Sequence, residues 1–134
     1  MTPHNTVADF MVTDIVTLPM ALEINHAVSI LLNRRISGAP VLDETGELAG
    51  ILTKKDCFKA ALNANYYKQW GGTVADYMTA KVVPMDADLD IVSAAEMFLS
   101  LPYRLFPVLA EGQLAGLISR SDLLQAFVDT GKPA

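Results

Sequence analysis

The chain says nearly the same thing twice. Val7–Met11 reads VADFM, and Val74–Met78 reads VADYM. A shift of 67 residues keeps the likeness going, with Val16 on Val83, Leu22 on Leu89, Ile24 on Ile91, Ala27 on Ala94, Leu32 on Leu99, and PVL at Pro40–Leu42 on PVL at Pro107–Leu109. One residue then drops out at a turn. At the new shift of 66, LAG at 48–50 meets LAG at 114–116, Asp56 meets Asp122 and Ala60 meets Ala126. One register with a single gap is an internal duplication, so the chain must fold as two copies of one unit.

Each copy reads as β-α-β-β-α. A helical phrase, VADFM or VADYM, leads to a β-branched stretch at Ile15–Thr17 or Val82–Val83, expected as the first strand. Amphipathic helices follow near Asn25–Arg34 and Ile91–Leu101. Pro40 and Pro107 are placed where a second strand begins, a position that a sheet tolerates. APVLDETGELAGILT and FPVLAEGQLAGLIS then read as hairpins, each followed by a last helix, Lys55–Asn63 or Ser121–Asp129. A three-stranded sheet in about sixty residues leaves one face uncovered. The expected fold is therefore α+β, two repeats packed sheet to sheet with pseudo-two-fold symmetry. The first repeat takes residues 1–62, a linker 63–73 and the second repeat 74–130. Gly71–Gly72 is expected to be a flexible joint, with Tyr66, Tyr67 and Trp70 packing the linker onto the body or a second subunit.

Composition narrows the function. The net charge is −5 and the pI about 4.8, with no basic block beyond Arg34–Arg35 and Lys54–Lys55, so no nucleic-acid partner is expected. No apolar run approaches the roughly 18 residues of a membrane span, so no membrane partner is expected. The first ten residues lack the pattern of a signal peptide, and Cys57 is the single cysteine, which points to a cytoplasmic chain. His4, His26 and Cys57 offer no zinc spacing. Asp86, Asp88 and Asp90 read as a solvated helix start rather than a calcium loop. No nucleophile–base set recurs at motif spacing, so no catalytic residue is assigned.

The informative stretches close each hairpin: GILTKKD at 50–56 and GLISRSD at 116–122. Thr53 and Ser119, each with an acid three residues on, form capping-box patterns at helix starts. The same geometry offers a hydroxyl and helix N–H groups to an anion, and a carboxylate to a ribose diol. The glycine ahead allows close backbone approach. Capping and binding are compatible roles for one motif.

The duplicated β-α-β-β-α unit, the PVLD strand and the closing Gly-apolar-apolar-Thr/Ser-x-x-Asp resemble a tandem pair of cystathionine-β-synthase (CBS) domains, a Bateman module, over about Val7 to Phe127. The resemblance implies a stand-alone regulatory module with no obligatory cofactor. It implies an adenosyl ligand (AMP, ADP, ATP or S-adenosylmethionine) held in clefts between the repeats. It also implies a homodimer, and a conformational change passed to a regulated protein that the sequence does not identify. Carried over by position, one pocket uses Thr53 and Asp56, with the base near Val83 and Pro84. The other uses Ser119 and Asp122, with the base near Ile15, Val16 and Thr17. Arg104, three residues before Pro107, is implied as a phosphate contact for the Asp56 pocket, whereas Ser37 precedes Pro40. Phe106 either stacks on a base or fills its space. Pro84 stands where the first repeat has Thr17, and Pro102 shortens the helix before Arg104. The competing reading is a structural dimerisation module whose two motifs only cap helices.

Overall fold

A computed structural model describes residues 5–131. After a 3-10 turn at Val7–Asp9 come β1 (Leu18–Pro19), α1 (Ile24–Arg34), β2 (Gly38–Leu42), β3 (Leu48–Thr53) and α2 (Lys54–Tyr67). The short α3 (Val74–Tyr77) opens the second copy, followed by β4 (Met85–Asp86), α4 (Ile91–Ser100), β5 (Leu105–Ala110), β6 (Gln113–Ser119) and α5 (Arg120–Thr130). There are two three-stranded sheets, ordered β1-β2-β3 and β4-β5-β6. In each the first pair is parallel and the second is an antiparallel hairpin. The fold is α+β and the repeat is structural.

Local causes are the same in both copies. α1 buries Ile24, Ala27 and Leu31, and α4 buries Ile91, Ala94 and Phe98, the spacing of one helical face. The second hairpin closes in two residues, Glu111 and Gly112, both left-handed at φ 52° and 79°. That is the requirement of the tightest hairpin turn.

Three expectations change. The first strands are not Ile15–Thr17 and Val82–Val83 but lie just beyond them, because only Leu18–Pro19 and Met85–Asp86 find parallel partners on β2 and β5. Leu18 and Met85 supply the burial there, each 1% exposed, whereas Thr17 and Val83 face solvent. Pro40 and Pro107 stand inside their strands rather than at the start. They sit opposite Ile51 and Leu117, whose backbone groups turn to the other edge of the hairpin, so no donor is needed there. Finally, α2 runs on to Tyr67 through the segment read as linker. Tyr66 and Tyr67 pair edge-on at 4.9 Å but stay exposed, as does Trp70. Gly72 is no free joint, because its carbonyl accepts from Ile24 N at 3.1 Å.

The chain forms two compact units, and contacts divide it differently from sequence identity. Residues 16–82 form a continuous unit, and residues 5–15 join 83–131 in a discontinuous one. In the continuous unit the VADYM arm closes the core, with Val74 N bonded to Leu22 O at 2.8 Å and Ala75 N to Met20 O at 3.0 Å. In the discontinuous unit the VADFM arm repeats those bonds, Val7 N to Leu89 O at 2.8 Å and Ala8 N to Ala87 O at 2.9 Å. Val7 and Val74 are fully buried. Met11 and Met78 pack against the same cores as their arms. Each copy of the phrase thus completes the hydrophobic core of the other copy.

Candidate functional site

The two closing motifs fold into the same corner. Thr53 ends β3 and caps α2, and Ser119 ends β6 and caps α5. Asp56 Oδ2 accepts from Thr53 N and from Thr53 Oγ1, both at 3.0 Å, while Asp56 N donates back to Thr53 Oγ1 at 3.4 Å. Asp122 Oδ2 accepts from Ser119 N at 2.8 Å, and Asp122 N donates to Ser119 Oγ at 3.2 Å. Both capping boxes are complete.

The next donor in each helix is also engaged. Lys54 N bonds to Ser37 O at 3.0 Å, and Arg120 N to Arg104 O at 3.1 Å. Hydroxyl and helix-end N–H groups that sequence reasoning offered to an anion are therefore largely used within the corner. What the corner keeps is an acceptor. All hydrogen bonds to Asp56 arrive at Oδ2 and none at Oδ1. Asp56 is 5% exposed, and Oδ1 keeps contact with solvent. A buried carboxylate with one uncommitted oxygen suits a hydroxyl donor rather than a second anion.

Neighbouring groups leave little other chemistry. Cys57 is buried, and that burial, helped by the Asp56 carboxylate, pushes its thiol pKa up and keeps it a neutral core residue. Phe106 is fully buried, edge-on to Phe98 at 4.8 Å and to Tyr103 at 5.7 Å, so it belongs to the core. His26 is exposed on α1, and His4 lies outside the described residues. Among the described residues no group of three His, Cys, Asp or Glu side chains is placed to hold a metal. Asp90 caps α4 by accepting from Ser93 N at 3.0 Å and Ser93 Oγ at 2.7 Å.

Thr53 is thus joined to Asp56 and Ser119 to Asp122. Arg104 is exposed, and its main chain is tied to α5 beside Ser119, in the discontinuous unit. Ile15, Val83 and Pro84 belong to that unit, and Val16 and Thr17 to the continuous one. Ile15–Thr17 and Val83–Pro84 are irregular segments entering β1 and β4.

Sequence reasoning missed the partner of each motif glycine. A Cβ on Gly50 would stand 2.7 Å from Thr79 O, and one on Gly116 would stand 2.5 Å from Val12 O. The glycines admit the arms rather than a ligand. Recurrence of glycine before both motifs signalled a close approach but not what approaches.

The CBS-domain family model matches residues 7–63 and 74–129. The structure superposes on Arabidopsis thaliana CBSX2, solved in complex with AMP, with TM-score 0.84 and 24% identity over 96% of this chain and 99% of that one. It also superposes on the CBS domain pair of protein MJ0100, solved with 5′-methylthioadenosine and S-adenosyl-L-methionine, with TM-score 0.79 and 24% identity over 96% and 99%. At these identities the likeness establishes the fold. In sequence the chain is 32% identical, over 96% of its length, to part of the A-adding tRNA nucleotidyltransferase of Geobacter sulfurreducens. It spans only 14% of that enzyme, and 42% of the uncharacterized protein MJ1225 of Methanocaldococcus jannaschii.

Proposed function

The chain belongs to the CBS-domain family as a tandem pair, and from that premise we propose that it is a regulatory, non-catalytic module that binds an adenosyl ligand at its Asp56 and Asp122 corners. The observation that carries the reading is the duplicated corner, where a carboxylate keeps one oxygen uncommitted beside a completed capping box. A ribose diol donates two hydroxyls and matches that acceptor. AMP in CBSX2 and S-adenosyl-L-methionine in MJ0100 both carry such a ribose. Thr53 and Ser119 hold the carboxylates in place. Ile15, Val16, Thr17, Val83 and Pro84 are proposed to face the base and Arg104 to meet a phosphate, as the family pattern implies.

The corners share strand edges with the arms, which gives a route for the signal. Ile51 pairs with Thr79, and two residues on along the same edge Thr53 N binds Asp56. Val12 pairs with Leu117, two residues before Ser119. A ligand that draws on Asp56 or Asp122 loads the edge on which an arm is docked. It biases two states only by binding one of them more tightly. The module is proposed to act as a homodimer on a protein partner.

Calorimetry on ligand-free protein with AMP, ADP, ATP and S-adenosylmethionine tests the reading. Binding of at least one, lost in Asp56→Asn combined with Asp122→Asn, is the expected result. No heat from any of the four on folded protein overturns it. The completeness of both capping boxes favours a second reading, a structural dimerisation module in which the same substitutions lower stability and change no ligand response.

A further inference from the structure

We propose that the end of α2 and the tail behind it, residues 61–70, form a docking surface for an acidic segment of a protein partner that carries a large apolar side chain. The proposal rests on the partner reading above and gives that partner a place and a chemistry.

The core does not need this stretch. Asp56, Cys57 and Ala60 are the buried residues of α2, and the helix continues past the last of them to Tyr67. Its counterpart α5 stops at Thr130, the repeat-equivalent of Ala64. Leu62, Tyr66 and Tyr67 are 69%, 78% and 70% exposed, and Trp70, the single tryptophan, is 43% exposed. Apolar side chains gathered at one exposed place mark an interaction site, and tyrosine and tryptophan are the types enriched there.

The stretch is nevertheless held in shape. Lys68 takes a left-handed conformation, φ 64°, which ends α2 and turns the chain. Trp70 then lines a hollow of about 380 Å³ with Ala61, Ala64, Asn65, Lys68 and Gln69. A second hollow shares Asn65 and is bordered by Leu62, Tyr66 and Tyr67. Asn63 Nδ2 donates to Tyr77 Oη at 3.1 Å, and Tyr77 Oη donates to Gly71 O at 3.5 Å. The hydroxyl that distinguishes VADYM from VADFM thus fastens the tail. Both hollows are open to solvent, whereas a small-molecule site encloses most of its ligand. They suit the side chains of a peptide laid across them.

Charge selects the partner. α2 and its tail carry Lys54, Lys55, Lys59 and Lys68, all exposed, and their one acid, Asp56, is buried in the cap. Lys68 is the charged residue that lines the first hollow. In a chain of net charge −5 this element is locally cationic, and complementary potential favours a segment with carboxylates. Its apolar side chain rests on Trp70, the amides of Asn65 and Gln69 bond its backbone, and a carboxylate meets Lys68. A nucleic acid is disfavoured, because it needs several cations along its backbone and the chain as a whole repels it.

Because Trp70 is the single tryptophan, its fluorescence reads the surface directly. The probe is a random-peptide display library without tryptophan, selected against the whole chain, with the enriched peptides then synthesised. Peptides rich in Asp and Glu around a Leu, Ile or Phe are expected, and they should shift Trp70 emission on titration. Their dissociation constants should rise several-fold with added salt, and about tenfold or more in Lys68→Glu and in Tyr66→Ala. Adenosyl titrations of both variants should match the parent; a variant that loses them assigns its residue to the ligand site and overturns the proposal. Enriched peptides that are neutral or basic, that leave Trp70 emission unmoved, or that tolerate both substitutions overturn the surface and leave a partner elsewhere. No enrichment overturns the surface and the partner reading together. Trp70 emission that shifts with the protein's own concentration assigns the surface to a second copy. Tighter binding of a single-stranded oligonucleotide than of the selected peptides assigns it to nucleic acid, and either result overturns the proposal.

Discussion

Val12 and Leu117 exchange two backbone hydrogen bonds, Val12 N to Leu117 O at 2.7 Å and Leu117 N to Val12 O at 2.9 Å. Ile51 and Thr79 repeat the exchange at 3.0 and 2.9 Å. Each sheet ends on the outer strand of its hairpin, and an unpaired outer edge is a template for association. The arms occupy those edges. They also place a backbone carbonyl against the one residue of each strand that has no side chain.

That contact makes the motif glycines structural. Alanine at Gly116 or Gly50 meets a carbonyl oxygen at 2.5 or 2.7 Å, far inside van der Waals distance, and main chain yields less readily than a side-chain tip. Each substitution should cost about 1–3 kcal/mol in urea unfolding. Gly71→Ala, with nothing within 4 Å of the new Cβ, should stay within about 0.5 kcal/mol of the parent.

The arms should also be energetically equivalent. Val7 and Val74 are both 0% exposed, each in the core of the unit its arm completes. Removing two methyl groups from either should destabilise by about 2 kcal/mol. Urea midpoints of Val7→Ala and Val74→Ala check this. A Val7→Ala effect near zero would mean that the VADFM arm is undocked in solution.

Much of this was legible in the sequence, and the rest was hidden for physical reasons. Repetition at a fixed register reveals the two-copy α+β fold, because Ile24, Ala27 and Leu31 must bury the same face as Ile91, Ala94 and Phe98. The capping chemistry of Thr53–Asp56 and Ser119–Asp122 is local and therefore readable. The destination of VADFM is not, because hydrophobic periodicity shows that Val7 is buried but not against which core. Pro40 misled because strand tolerance of proline depends on which edge its missing N–H faces, and that depends on pairing. The extension of α2 to Tyr67 was hidden by exposed aromatics that read as linker packing.

The cap of α4 should show in acid. Hydrogen bonds from Ser93, first its hydroxyl and then its N–H, hold the Asp90 carboxyl below its ordinary value of 3.8. A depressed carboxylate contributes stability that is fully present above the unfolded value and is lost as pH falls through the folded one. Thermal melts of the parent should therefore lose this contribution as pH falls below about 4. Asp90→Ala should lower the melting temperature at neutral pH, and the difference should shrink in acid. A gap that persists at low pH would assign the effect to lost packing instead of the charged cap.

Asp56 and Asp122 separate capping from recognition. Replacing either by Asn keeps an acceptor oxygen at the box and removes the charge, so stability should fall by about 1 kcal/mol, the scale of a helix cap. The loss should be larger for Asp56, which is buried with two bonds from Thr53, than for half-buried Asp122. Adenosyl affinity should respond more strongly than stability. A carboxylate-to-hydroxyl bond contributes roughly 1.5–3 kcal/mol, so losing it should weaken binding about ten- to a hundredfold. Thr53→Val is the comparison: it removes the hydroxyl that caps α2 and one of the two bonds that hold Asp56, but keeps the charge, so it should weaken binding less than Asp56→Asn does. If Thr53→Val and Asp56→Asn lower stability equally and neither changes the calorimetric titration, the first corner is a helix cap and nothing more.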